Sequence, residues 1–135
     1  LKDYPDLSNN VSFLGEKRGD ELDKEYRNCD IFWAPSRYES FGLIYAEAMS
    51  FSKPVIGTNI GGIPEVVEDE KSGFLCKNED LEQFKEKLLH LIDNKALREK
   101  FGEEGRKRAI ELFDFQNLVT KTENYYAEIS NNLNN

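Results

Sequence analysis

"DIFWAPSRYESFGLIYAEAMSFSKPVIGTNIGGIP", residues 30–64, decides the fold. The runs at 30–36 ("DIFWAPS") and 54–59 ("PVIGTN") are too short for helices, carry aromatic or β-branched side chains, and read as strands. Between them, residues 41–52 carry Leu43, Ile44, Ala46, Ala48 and Met49 around Glu47 and read as a helix. A strand, a helical crossover and a second strand form a unit whose strands run parallel.

The same alternation continues on both sides. "VSFLG" (11–15) and "GFLCK" (73–77) read as further strands, and residues 21–29 and 64–69 as further helices. From Asp80 the pattern is helical only: "DLEQFKEKLLHLIDN", "ALREKFGEEGRKRAIELF" and "DFQNLVTKTENYYAEI", with Asp80 and Asp114 placed as caps. The sequence predicts an α/β domain: a partial doubly wound parallel sheet of about four strands with flanking helices, followed by C-terminal helices. Doubly wound sheets usually hold five or more strands, so residues 1–135 read as one domain truncated on its N-terminal side. The tail "SNNLNN", 130–135, is expected to fray.

Composition narrows the function. With 39% hydrophobic and 33% charged residues and a net charge of -8, the chain is an acidic globular one without a basic stripe, which argues against a nucleic-acid partner. Residues 1–10 lack the pattern of a signal peptide, and no apolar run approaches the roughly 18–20 residues of a membrane span. Cys29 and Cys76 are too few and too far apart for a disulfide framework or a metal knuckle. They read as small core residues in a reducing, cytoplasmic compartment.

In parallel sheets ligands bind beyond the carboxyl ends of the strands, where loops lead into helix N-termini. "APSRYESFG" occupies such a place. Ser40 is positioned to cap the next helix, whose first turn (Phe41, Gly42, Leu43, Ile44) contains no acid to cancel the terminal positive dipole. Gly42 permits close approach of a ligand, and free amides there can take a phosphate; a plain capped helix is the simpler alternative.

Glu47, at about 100° per residue, falls between Leu43 and Phe51 on an apolar stripe, where a carboxylate needs donors. Those donors are either a structural cation or a ligand offering hydroxyls, such as a vicinal diol. Glu39, in the loop before the helix, can reach the mouth of the cleft or be an ordinary exposed acid. Gly61 and Gly62 form a glycine turn after strand 54–59, with Pro64 opening a short helix. Its acids Glu65, Glu68 and Asp69 complement the dipole, so this loop is expected to form a pocket wall and not an anion site. His90 lacks catalytic partners at suggestive spacing, no metal-ligand motif occurs, and Trp33, Tyr125 and Tyr126 read as core or helix-packing residues.

Glu39 and Glu47 stand with seven residues between them inside "PSRYESFGLIYAEAMSFSKPVIGTNIGGIPEVVEDEKSGFL". This stretch resembles the Glu-x7-Glu signature of the group 1, or family four, retaining glycosyltransferases, in the nucleotide-binding C-terminal half of the GT-B fold. "VSFLG" and "ELDKEYRNCDIFWAPS" upstream and "LREKFGEEGRKRAIELFDF" downstream extend the likeness over most of residues 11–126. The resemblance implies a donor-binding domain for a nucleotide-diphosphate sugar, acting without a metal or other cofactor. By the same resemblance Glu47 holds the ribose hydroxyls and Glu39 contacts the transferred sugar as the catalytic glutamate. Ser40, Phe41, Gly42 and Leu43 approach the donor sugar and diphosphate, and Lys17 lies near the base.

Two parts of the family's pattern are missing: the basic pair that clamps the diphosphate, and the N-terminal domain that binds a carbohydrate or lipid acceptor. The isolated chain is therefore expected to be inactive in transfer. A non-catalytic nucleotide or sugar binding module of the same fold is the alternative. Ser52 stands where the family usually has a glycine ending the helix. The resemblance also suggests work at the inner face of a membrane. A dimer or other contact is expected to cover apolar surface on the last helix, 115–129.

Overall fold

The computed structural model describes residues 9–133; the readings for residues 1–8 and 134–135 lie outside them. In chain order the elements are α1 (Asp20–Asn28), β1 (Phe32–Ala34), α2 (Leu43–Ser50), β2 (Val55–Thr58), α3 (Ile63–Val66), β3 (Gly73–Cys76), α4 (Leu81–Asp93), α5 (Lys95–Phe113) and α6 (Phe115–Leu133). The strands form one parallel sheet in the order β1-β2-β3. Phe32 pairs with Val55, which pairs with Gly73 in turn.

The open parallel sheet with flanking helices is the predicted class, but the described residues hold three strands, not four. Residues 11–15 enter no ladder, and Val11, Phe13 and Leu14 are 41%, 82% and 53% exposed. Their side chains favour extended backbone, but a strand also needs a neighbour for its N–H and C=O groups.

Alternation along β2 and β3 sorts the core into two layers. Val55 and Leu75 face Tyr26 of α1, Tyr45, Ala48 and Met49 of α2, Ile63 and Val66 of α3, and Ala109 of α5. Ile56, Phe74 and Cys76 face Phe84 and Leu91 of α4 and Phe101 of α5. Both strands are buried at every residue, as a sheet covered on two faces requires. β1, at the edge, is half-buried, and Trp33 lies 48% exposed beside Phe84 instead of in the core.

Asp80 and Asp114 behave as expected: their carboxylates accept from the amides of Gln83 and Asn117 at 3.0 and 3.1 Å. α5 lies close against α2, because a Cβ on Gly102 would overlap the carbonyl of Ser52 and one on Gly105 would stand 3.1 Å from Met49 Cγ. Arg106 donates to the Ser50 carbonyl across the same contact.

Residues 130–133 continue α6. Its apolar residues remain largely uncovered: Phe115, Leu118, Tyr125 and Tyr126 are all exposed, so the two tyrosines are not core residues. Cys76 is fully buried, whereas Cys29 is half-buried at the end of α1; both are free thiols. Among the described residues no helix is long and apolar enough to cross a membrane.

Candidate functional site

α2 starts from Gly42, whose left-handed φ of 94° turns the chain out of the Ser36–Phe41 loop. Ser40 is exposed and does not cap the helix. With Gly42 in the cap position, no side chain accepts from the first turn, and that turn carries no acid. The first amides of a helix have no intrahelical acceptor, so they remain available to an anion.

Glu39 is half-buried, and its Oε1 accepts from the amide of Phe41 at 3.3 Å. The loop is held from below by the glycine turn. The Gly62 amide donates to the Glu39 carbonyl at 3.4 Å, and a Cβ on Gly62 would lie 2.6 Å from the Ser40 carbonyl oxygen. Gly61, at φ +52°, would carry a Cβ that overlaps the Glu39 carbonyl oxygen. Gly61 and Gly62 thus support the Glu39 loop backbone to backbone.

α3 is shorter than expected, and only Glu65 belongs to its first turn. Glu68 and Asp69 lie beyond it. The Asp69 carboxylate accepts from the Leu75 amide at 2.8 Å, while Glu68 pairs with Lys71 at 3.1 Å and Arg108 at 3.5 Å. These acids organise the turn into β3 and do not complement the dipole of α3. Arg108 also donates to the carbonyls of Val66 and Glu65 at 2.7 and 2.8 Å, tying the end of α3 to α5.

Glu47 lies on the exposed side of α2 together with Leu43 and Ile44, whereas Tyr45, Ala46, Ala48 and Met49 form the buried side. Helical angles placed Glu47 between Leu43 and Phe51; Leu43 faces outward with it, whereas Phe51 is half-buried against the Tyr26 ring. Glu47 borders a groove of about 330 Å³ walled by Leu43, Ala46, Ser50, Ala109, Ile110 and Phe113. Glu47 is nevertheless partnered: the Tyr26 hydroxyl donates to its Oε2 at 2.8 Å.

Sequence reasoning missed Tyr26. The available signal was a single aromatic residue in the charged helix "DELDKEYRN", since a buried tyrosine hydroxyl normally has a partner. Burial, and secondarily the hydrogen bond to Glu47, pushes the Tyr26 pKa well above the usual phenol range.

Lys17 does not meet these residues; its ammonium pairs with Glu21 at 3.7 Å beside the start of α1. A second hollow, of about 500 Å³, opens at the carboxyl ends of the strands, walled by Pro35, Arg37, Thr58, Asn78, Glu79 and Phe84. Neither hollow contains both Glu39 and Glu47. His90 is exposed beside the Phe74 ring, and no group of three potential metal ligands occurs among the described residues.

The parallel sheet, with its glycine-supported loop leading into an acid-free helix start, has the architecture of the Rossmann-like C-terminal half of a GT-B glycosyltransferase. Residues 4–108 match the family described as Glycosyl transferases group 1. The chain belongs to that family.

An uncharacterized glycosyltransferase of Methanocaldococcus jannaschii, MJ1178, is 38% identical over 127 residues, covering 92% of this chain and 36% of the relative. Sucrose-phosphate synthase from Thermosynechococcus elongatus superposes with a TM-score of 0.85 at 27% identity, over 95% of this chain and 32% of that one. Anabaena Alr3699/HepE, solved in complex with UDP, superposes with a TM-score of 0.80 at 26% identity, over 93% and 34%. The chain thus spans about a third of the length of these proteins.

Proposed function

We propose that this chain is the donor-binding part of a retaining glycosyltransferase that uses a nucleotide-diphosphate sugar. The observation that carries the reading is the start of α2: an uncapped, acid-free helix terminus with Glu39 just before it and Glu47 on its exposed side. The diphosphate meets the amides of Phe41, Gly42 and Leu43, with Ser40 beside them. Glu47 receives the ribose hydroxyls, and Glu39 contacts the transferred sugar. Family membership and the UDP complex of the HepE neighbour support a nucleoside diphosphate as the common part of the donor.

Such a transfer passes through an oxocarbenium-like state whose charge is met by the leaving diphosphate and by the fixed dipoles and carboxylate of the pocket. The reaction in this proposal uses no metal. A carbohydrate or lipid acceptor binds outside these 135 residues, so the chain alone binds donor without transferring sugar.

Titrating UDP, GDP and ADP into the full-length protein, followed by backbone amide shifts, tests the proposal. One nucleotide is expected to move Phe41, Gly42 and Leu43 selectively, and Glu47→Ala to weaken that response. Binding that leaves these amides unmoved, or no binding of any of the three at millimolar concentration, would overturn it.

A further inference from the structure

The groove beside Glu47 lies on the outside of a helix, where a glutamate ordinarily samples several rotamers. A carboxylate that must accept from two adjacent hydroxyls of a ligand loses affinity to that freedom, because its side chain has to be ordered on binding. The structure contains a device that removes it. We propose that Tyr26 is the positioning residue for Glu47, fixing the carboxylate in the orientation that receives a vicinal diol; this rests on the assignment of Glu47 to the donor ribose.

Three observations carry the inference. The Tyr26 hydroxyl donates to Glu47 Oε2 at 2.8 Å, from 21 residues away and from a different helix. The donor itself has little freedom: Tyr26 is only 7% exposed, stacked on Phe51 at 5.7 Å and tilted against Phe32 at 5.8 Å. The Arg27 guanidinium covers the Phe51 ring at 4.9 Å and closes the cluster.

The hydrogen-bonding capacity also fits. An ionised carboxylate offers about four acceptor sites, Tyr26 takes one, and a diol needs two. A phenol is neutral at working pH and adds no charge to compete with a diphosphate nearby.

A structural role and a positioning role separate in one measurement. On the full-length protein, the affinities of UDP, GDP and ADP are compared with those of their 2′-deoxy counterparts. For the nucleotide that binds best, the ribose form is expected to bind about tenfold tighter than the deoxy form, the size of one charge-assisted hydrogen bond.

Tyr26→Phe, which keeps the ring in its aromatic cluster, is expected to weaken the ribose form several-fold while leaving the deoxy form unchanged, so the preference falls toward unity. In a Glu47→Ala background the same change is expected to have no further effect on the preference. A purely structural tyrosine would weaken both forms equally or neither. Full preference retained in Tyr26→Phe but lost in Glu47→Ala would overturn the role of Tyr26 and leave the Glu47 assignment standing. No preference in the unmodified protein, or full preference retained in Glu47→Ala, would overturn the Glu47 assignment itself and the inference with it.

Discussion

Gly61 and Glu39 touch backbone to backbone: a Cβ on Gly61 would overlap the Glu39 carbonyl oxygen and stand 3.1 Å from its carbonyl carbon. The two residues are 22 positions apart and lie in loops that follow neighbouring strands. The absence of a side chain at position 61 therefore sets the height of the loop that carries Glu39.

Gly61→Ala is expected to cost distinctly more than Gly15→Ala. Both glycines have a left-handed φ, +52° and +69°, so an alanine at either pays about 1–2 kcal/mol for its backbone. Only Gly61 adds a collision, since a Cβ on Gly15 meets nothing within 4 Å. Urea unfolding of the two variants should differ by more than about 1 kcal/mol, and nucleotide binding should weaken in Gly61→Ala alone. Equal costs would mean that the Glu39 loop yields freely.

Ser52→Gly is expected to stabilise the protein. Ser52 follows α2 with a φ of 58°, and its amide donates to the Met49 carbonyl at 2.9 Å, so a serine holds the left-handed position that usually favours glycine. Relief of that strain, reduced by the greater freedom of glycine in the unfolded chain, should give about 0.5–1 kcal/mol. Denaturant midpoints measure it, and nucleotide affinity is expected to stay the same.

Alkaline stability should be lost between about pH 9 and pH 11. Burial, with the charge of Asp69 second, pushes the Cys76 thiol from 9.0 up to about 11. In the unfolded chain this thiol ionises near 9.0, so its contribution is fully present below that pH and is lost as pH rises through the folded value. Tyr26 and Tyr45, both raised from 10.0 chiefly by burial, act in the same direction from about pH 10 upward. Urea midpoints followed from about pH 7 to pH 11 should fall in this window, and less steeply in Cys76→Ala.

The features that were legible in the sequence are those fixed by neighbours along the chain. The parallel crossover around α2, the caps at Asp80 and Asp114, and the acid-free start of α2 all follow from local composition. Features set by distant partners were not. Residues 11–15 have strand-like side chains but no ladder, and Ser40 yields the cap position to Gly42. Helical periodicity places Glu47 between Leu43 and Phe51, but which side of α2 is buried depends on where β2 and α5 pack. Tyr26 meets Glu47 only because α1 and α2 contribute to the same core layer of the fold.

The Glu39 carboxylate accepts from the Phe41 amide at 3.3 Å, so the loop carries an internal competitor for the group that a ligand would use. Inorganic phosphate reaching that amide would displace one acid only to set another negative charge beside it. A sugar phosphate brings hydroxyls that can take over the displaced carboxylate. If the proposed donor site is right, the loop would favour ligands that supply donors as well as acceptors, a selectivity built into the way the chain folds back on itself.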